Sequence, residues 1–230
     1  MRRISLLFCL PILLATPAFA AGVNLAWDGC LGDPGAVSLK TFACDTNTGE
    51  NLLYVSFVPA VDFSPIQILE VALDLRTRGG LPLSAWWDVL DDGACRRDQF
   101  RPSDTQVSST PSCEGWSPPP DFVIDRYNYR YPTPDRAHLV VGTHGISTGV
   151  LAGHHYIACR LVVRHPRTVG TPSCAGCLDP VEITVSAVRV ATLTTEQVLT
   201  QPQAEAHALW QESPVPARTS TWAALKALYK

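Results

Sequence analysis

Apolar and polar residues alternate with period two along much of the chain, and this spacing predicts β-strands rather than helices. The clearest run is Gln67 to Leu75, where Leu69, Val71, Leu73 and Leu75 fall on one face and Ile68, Glu70, Ala72 and Asp74 on the other. Comparable runs, rich in β-branched and aromatic residues, occupy 37–43, 52–58, 85–90, 122–131, 138–143, 155–163 and 181–190. In the last of these Val181, Ile183 and Val185 share one parity while Val188 and Val190 take the other. An extra residue, a β-bulge, is therefore expected near Ser186-Ala187.

The segments between these runs are built from turn formers: 45–49, 78–80, 91–93, 118–120 and 132–134 are dense in Gly, Pro, Asn and Asp. Strands joined by turns, without intervening amphipathic helices, predict a mainly β fold, an antiparallel β-sandwich of about eight strands. The stretch from Asp98 to Pro120 is poor in large apolar residues and reads as an ordered loop. Residues 213–216 form a Pro-rich connector, and 219–230 place Trp222, Leu225, Leu228 and Tyr229 on one side of a predicted short C-terminal helix. A helix of that length is marginal alone and needs something to dock on, either its own sandwich or a partner in secretion or assembly. The expected organisation is a leader over 1–20, one β-sandwich domain over 21–212, and the connector and helix over 213–230.

The first twenty residues change the picture most. Arg2-Arg3 precedes an apolar run, and Ala18-Phe19-Ala20 has the small-x-small form that signal peptidase cuts. A Sec leader cleaved after Ala20 predicts a secreted or periplasmic protein. Cys9 follows Phe8 inside the apolar stretch, which does not suit a lipidation site. No later segment approaches the ~18 apolar residues of a membrane span. The formal charge of −3 becomes −5 once Arg2 and Arg3 are removed, and no cluster of basic residues appears, so nucleic acid is not an expected partner.

Export makes cysteines into candidate crosslinks. Seven of the eight lie beyond the leader: Cys30, Cys44, Cys95, Cys113, Cys159, Cys174 and Cys177. Local pairing would join Cys30 to Cys44, Cys95 to Cys113 and Cys174 to Cys177. Cys159 is left over; with Ile157, Leu161 and Val163 on one strand parity, it reads as a buried apolar thiol.

Candidate chemistry can be weighed motif by motif. Gly145-Ile146-Ser147-Thr148-Gly149 has the form of a nucleophile elbow, and Asp179 and His207 follow in hydrolase order, but the supporting helix is missing from the pattern. A turn between strands is the expected reading. Five of six histidines lie between His138 and His165, yet adjacent His154 and His155 point to opposite faces of a strand, so no metal site and no cofactor is expected. Cys174-Ala-Gly-Cys177 has redox spacing but leads into a strand rather than a helix. Asp88, Asp91 and Asp92 before Gly93 lack the order of a calcium loop. Trp86, Trp87, Tyr127, Tyr129 and Tyr131 could form an aromatic platform for sugar rings, with one of the two tryptophans facing out; core packing is the plainer alternative.

Three stretches carry a likeness: 23–30 (Val-Asn-Leu-Ala-Trp-Asp-Gly-Cys), 168–177 (Thr-Val-Gly-Thr-Pro-Ser-Cys-Ala-Gly-Cys) and the tail from Thr221-Trp222 to Tyr229-Lys230. Together they resemble a group of secreted bacterial β-rich proteins with no assigned activity, so the resemblance transfers no functional residue. The Leu53 to Leu75 region is similar in architecture to cohesin-like and carbohydrate-binding sandwiches, and fold alone does not fix function. The expected function is a disulfide-stabilised binding or structural role in the envelope or extracellular space, with a glycan or another envelope protein as partner. The alternative is a secreted serine hydrolase using Ser147, Asp179 and His207; catalysis is the less expected of the two.

Overall fold

A computed structural model of the chain describes residues 21–90, 93–103, 108–115, 123–200 and 206–211. The leader, Asp91-Asp92, the prolines at 118–120 and the C-terminal connector and helix lie outside the described residues.

Two sheets account for nearly all regular structure among the described residues. The smaller contains β1 (Gly22–Trp27), β3 (Glu50–Val58), β8 (Tyr156–Arg164) and β5 (Phe100–Pro102), hydrogen-bonded in that order. The larger runs β2 (Leu39–Lys40), β11 (His207–Trp210), β9 (Val181–Ala191), β4 (Ile66–Thr77), β7 (Arg136–Ser147) and β6 (Val123–Tyr129), with β10 (Glu196–Leu199) continuing the free edge of β9. Among the described residues there are thus eleven strands rather than about eight, and the larger sheet is mixed because β2 and β11 run parallel. The additional strands have a physical reason for going unread. Every residue of β1 is buried, so it shows no alternation, and β5, β10 and β11 are only three or four residues long.

The apolar parities meet where expected. Leu69, Val71, Leu73 and Leu75 of β4 are fully buried and pack with Leu53, Val55 and Phe57 of β3, and with Cys159, Leu161 and Val163 of β8, in one continuous core shared by both sheets. The Trp27 indole of β1 donates to the Leu209 carbonyl of β11 at 3.0 Å, tying one sheet to the other. The layers are sandwich-like, and each fully buried aliphatic side chain contributes about 1.5–3 kcal/mol.

Bulges reset parity at defined points. In β9 the register passes from Ala72↔Ala187 to Leu73↔Val185, leaving Ser186 as the extra residue at the position the parity switch predicted. In β8 it passes from Val55↔Cys159 to Ser56↔Ile157, so Ala158 is extra. As a result Cys159 faces the main core, while Ile157 packs on the opposite side with Cys30 and Cys113. Ile157 and Cys159 therefore do not share a face, contrary to strict alternation.

The 85–90 run is not a strand. Ala85–Trp87 forms a short 3-10 turn, and both Trp86 and Trp87 have no exposed surface, which corrects the expectation that one faces out. They enter an aromatic cluster with Trp27, Phe42 and Trp210. Buried Arg96 caps it, its guanidinium 3.3 Å from the Trp86 ring centre, donating to the Trp86 carbonyl at 2.9 Å and to the Arg164 carbonyl. Burial pushes its pKa down to about 9.

All six candidate cysteines are crosslinked, but none pairs locally. The bonds are Cys30–Cys113, Cys44–Cys177 and Cys95–Cys174, and Cys159 is free and buried as expected. Strand topology, not sequence proximity, sets the partners: Cys44 and Cys95 each meet the loop before β9. The second bond encloses the third in sequence, and the first overlaps both. With separations of 83, 133 and 79 residues, each alone would stabilise the fold by roughly 4.5–5 kcal/mol in the chain-entropy model.

Candidate functional site

The outward face of the smaller sheet carries two polar features. At one end, β8 turns Arg160, Val162 and Arg164 outward by period two, and β5 places Arg101 directly beside Val162 while Phe100 and Pro102 point to the core. These three arginines, with Ser103, Glu50, Leu52 and Val162, line a groove of about 310 Å³. Arg160 Nη2 donates to Ser103 Oγ at 2.6 Å, and Arg164 lies 3.6 Å from Glu50. Buried Arg96 holds the Arg164 carbonyl from beneath. Tyr54, the cross-strand neighbour of Arg160, stands between this groove and the second feature. Three guanidinium groups over an apolar floor, with Glu50 the carboxylate among the described lining residues, make a concavity suited to an oxyanion.

Another groove, of about 420 Å³, lies on the outer face of the larger sheet. It is self-neutralised, because Arg189 is clamped between Glu70 at 2.8 Å and Glu196 at 2.9 Å.

The second feature on the smaller sheet is buried. His155 Nε2 lies 2.9 Å from Ser56 Oγ, 3.3 Å from the Asn24 amide nitrogen and 3.8 Å from Cys30 Sγ. An amide nitrogen only donates, so Nε2 carries the lone pair. Burial pushes the His155 pKa below its ordinary value, opposed by a Ser112 backbone hydrogen bond and by Asp33. Asp33 accepts from the Cys30 and Ser112 amides, both at 2.8 Å. Burial works against its ionisation, yet hydrogen bonds from Thr110, Cys30 and Ser112 outweigh this and hold its carboxyl below the usual range.

The residues singled out from sequence fall elsewhere. Ser147 ends β7 opposite Ile66, whereas Asp179 lies just before Val181, which pairs with Thr77 at the other end of β4. That is ~35 Å along the sheet. His207 pairs with Thr184, in the row of Asp74, so its backbone is also remote from Ser147. Register thus does not bring the three together. The motif's glycines have local explanations: Gly145 sits at φ +150° in the irregular end of β7, and a Cβ on Gly149 would lie 2.4 Å from the Phe63 carbonyl oxygen. Of the five aromatics, Trp86, Trp87 and Tyr127 are buried, and Tyr129 donates to the Leu83 and Ser84 carbonyls at 3.0 and 2.9 Å. Tyr131 is exposed but lies beyond β6, after Arg130 at φ +54°. These aromatics are therefore mostly part of the core, the plainer of the two readings.

Arg160 lies in a run read as a strand, and Arg164 follows just beyond that run with the same parity, a usable signal. Arg101 sits in a stretch read as loop, and His155, Cys30 and Cys113 are joined only by tertiary structure. No protein-family model matches the chain, and no curated protein matches it. One solved structure, the "Putative membrane anchored protein" from Corynebacterium diphtheriae, aligns at 11% identity and a TM-score of 0.28, covering 88% of this chain and 38% of that one. A score that low carries no argument about fold or function, and its description makes no link to cohesin-like or carbohydrate-binding sandwiches. No helix among the described residues is long and apolar enough to cross a membrane.

Proposed function

We propose that this chain is an exported, disulfide-stabilised binding domain of the envelope or extracellular space. It takes an oxyanion, the phosphate, sulfate or carboxylate of an extracellular polymer, in the groove of Arg101, Arg160 and Arg164. The observation that carries the reading is the convergence of three arginines from two adjacent strands on one groove. The three long-range disulfides support action in an oxidising compartment. A chain of −3 net charge would repel polyanions overall, so the attraction must be local and steeply salt-dependent.

The test is calorimetric titration at low ionic strength with dextran sulfate and with neutral dextran. Binding to the sulfated polymer alone is expected, weakening on addition of salt and by about tenfold or more in Arg101→Ala/Arg164→Ala, on the scale of one or two lost charge-assisted contacts. Equal affinity of the double variant, or equal binding of neutral dextran, would refute the groove as the site.

A further inference from the structure

The buried cluster behind Tyr54 supports a different chemistry. One ligand atom from each of Cys30, Cys113 and His155 can be drawn within 4.8 Å of the others, and all three residues are buried. Strand β8 delivers His155 at its entry, the loop after β1 delivers Cys30, and the 108–115 segment delivers Cys113, bridged to β8 by Glu114↔Tyr156. The imidazole sits beside the sulfurs: Nε2, which accepts from the Asn24 amide at 3.3 Å, lies 3.8 Å from Cys30 Sγ, so a metal would take the place of the Asn24 hydrogen bond, and the Ser112 backbone engages the same ring. A backbone carbonyl accepting from the second ring nitrogen is the usual device for orienting a ligating histidine. Asp33, through the Cys30 and Ser112 amides, fixes the two segments that carry the partners.

We infer that when the Cys30–Cys113 bond is open, Cys30, Cys113 and His155 form a three-coordinate site for cuprous ion. Two thiolates and one imidazole in a dry, fixed enclosure match a soft d¹⁰ cation that accepts three ligands. The chemistry balances. A dithiol or phosphine reductant supplies two electrons, and two protons complete the thiols. Cuprous ion then displaces a proton from each thiol while neutral His155 donates through Nε2. Reoxidation of the pair to the disulfide excludes the metal, so crosslink and metal are alternative occupants of one place.

The experiment is anaerobic competition of the phosphine-reduced full-length chain against the coloured cuprous bicinchoninate complex. The wild-type chain should withdraw one more equivalent of copper than Cys30→Ser/Cys113→Ser, which keeps the other four paired thiols, and His155→Ala should weaken that equivalent by tenfold or more. X-ray absorption of the wild-type chain loaded below one equivalent gives a reading that needs no variant. A shell of two sulfurs and one imidazole nitrogen is expected. An all-sulfur shell, or equal copper uptake by wild type and the double serine variant, would overturn the inference.

Discussion

At the scale of single residues, two buried histidines, His155 and His165, tie the stability of the fold to pH. Cys159 could be read as buried because Leu161 and Val163 continue its apolar parity, and it is. His165 could not, since its surroundings come from distant segments: Asn51 meets its Nε2 at 2.7 Å and its ring packs near Trp86 and Trp210. Burial, and then the nearby Arg96 cation, holds its pKa below the ordinary 6.5. The unfolded chain therefore takes up the proton first as the medium is acidified. The associated stability is present above the unfolded value of 6.5 and is lost as pH falls through the depressed folded value. His155 is shifted in the same direction. Unfolding free energy measured by urea titration should decline as pH falls below about 6.5, with a slope of at most about 1.4 kcal/mol per pH unit for each histidine. His165→Gln should flatten that slope, and an unchanged slope would show that this ring does not contribute.

Among elements, long strands with one wet face announced themselves, and the bulge in β9 could be placed from parity alone. The bulge in β8 stayed hidden because Ile157, Ala158 and Cys159 are all apolar and buried, so no polar residue marks where the parity changes. The same limit explains Trp86-Trp87: in a strand with one wet face, two adjacent large apolar residues leave one exposed, but a 3-10 turn buries both in an aromatic cluster. The loop after β7 is fixed by contact as well. Phe63 and Val150 exchange two backbone hydrogen bonds, at 2.9 and 2.8 Å, which leaves Gly149 pressed against Phe63 and Ser64. Gly149→Ala should cost about 1–3 kcal/mol through overpacking, seen as a lower urea midpoint with an unchanged m-value. An unshifted midpoint would mean the loop can yield.

For the whole molecule, composition and turn signals were enough to anticipate a mainly β, crosslinked domain, because those properties are sums over many residues. Pairing of sheets, parallel docking of β2 on β11 and the convergence of arginines are relations between distant segments, which no local pattern encodes. The interleaved crosslinks have a consequence for how such a chain matures. Exported N-terminus first, it would offer Cys30 and Cys44 to an oxidase well before Cys113 or Cys177 emerged. Neighbouring thiols meet most often, so the first bonds made would be wrong ones, and each must be undone by thiol exchange. Biogenesis should therefore depend on a disulfide isomerase and not on an oxidase alone. Non-reducing peptide maps of the chain produced in a host lacking that enzyme should be dominated by consecutive pairs such as Cys30–Cys44. Equal recovery of Cys30–Cys113 with and without the isomerase would show that the fold assembles before its sulfurs react.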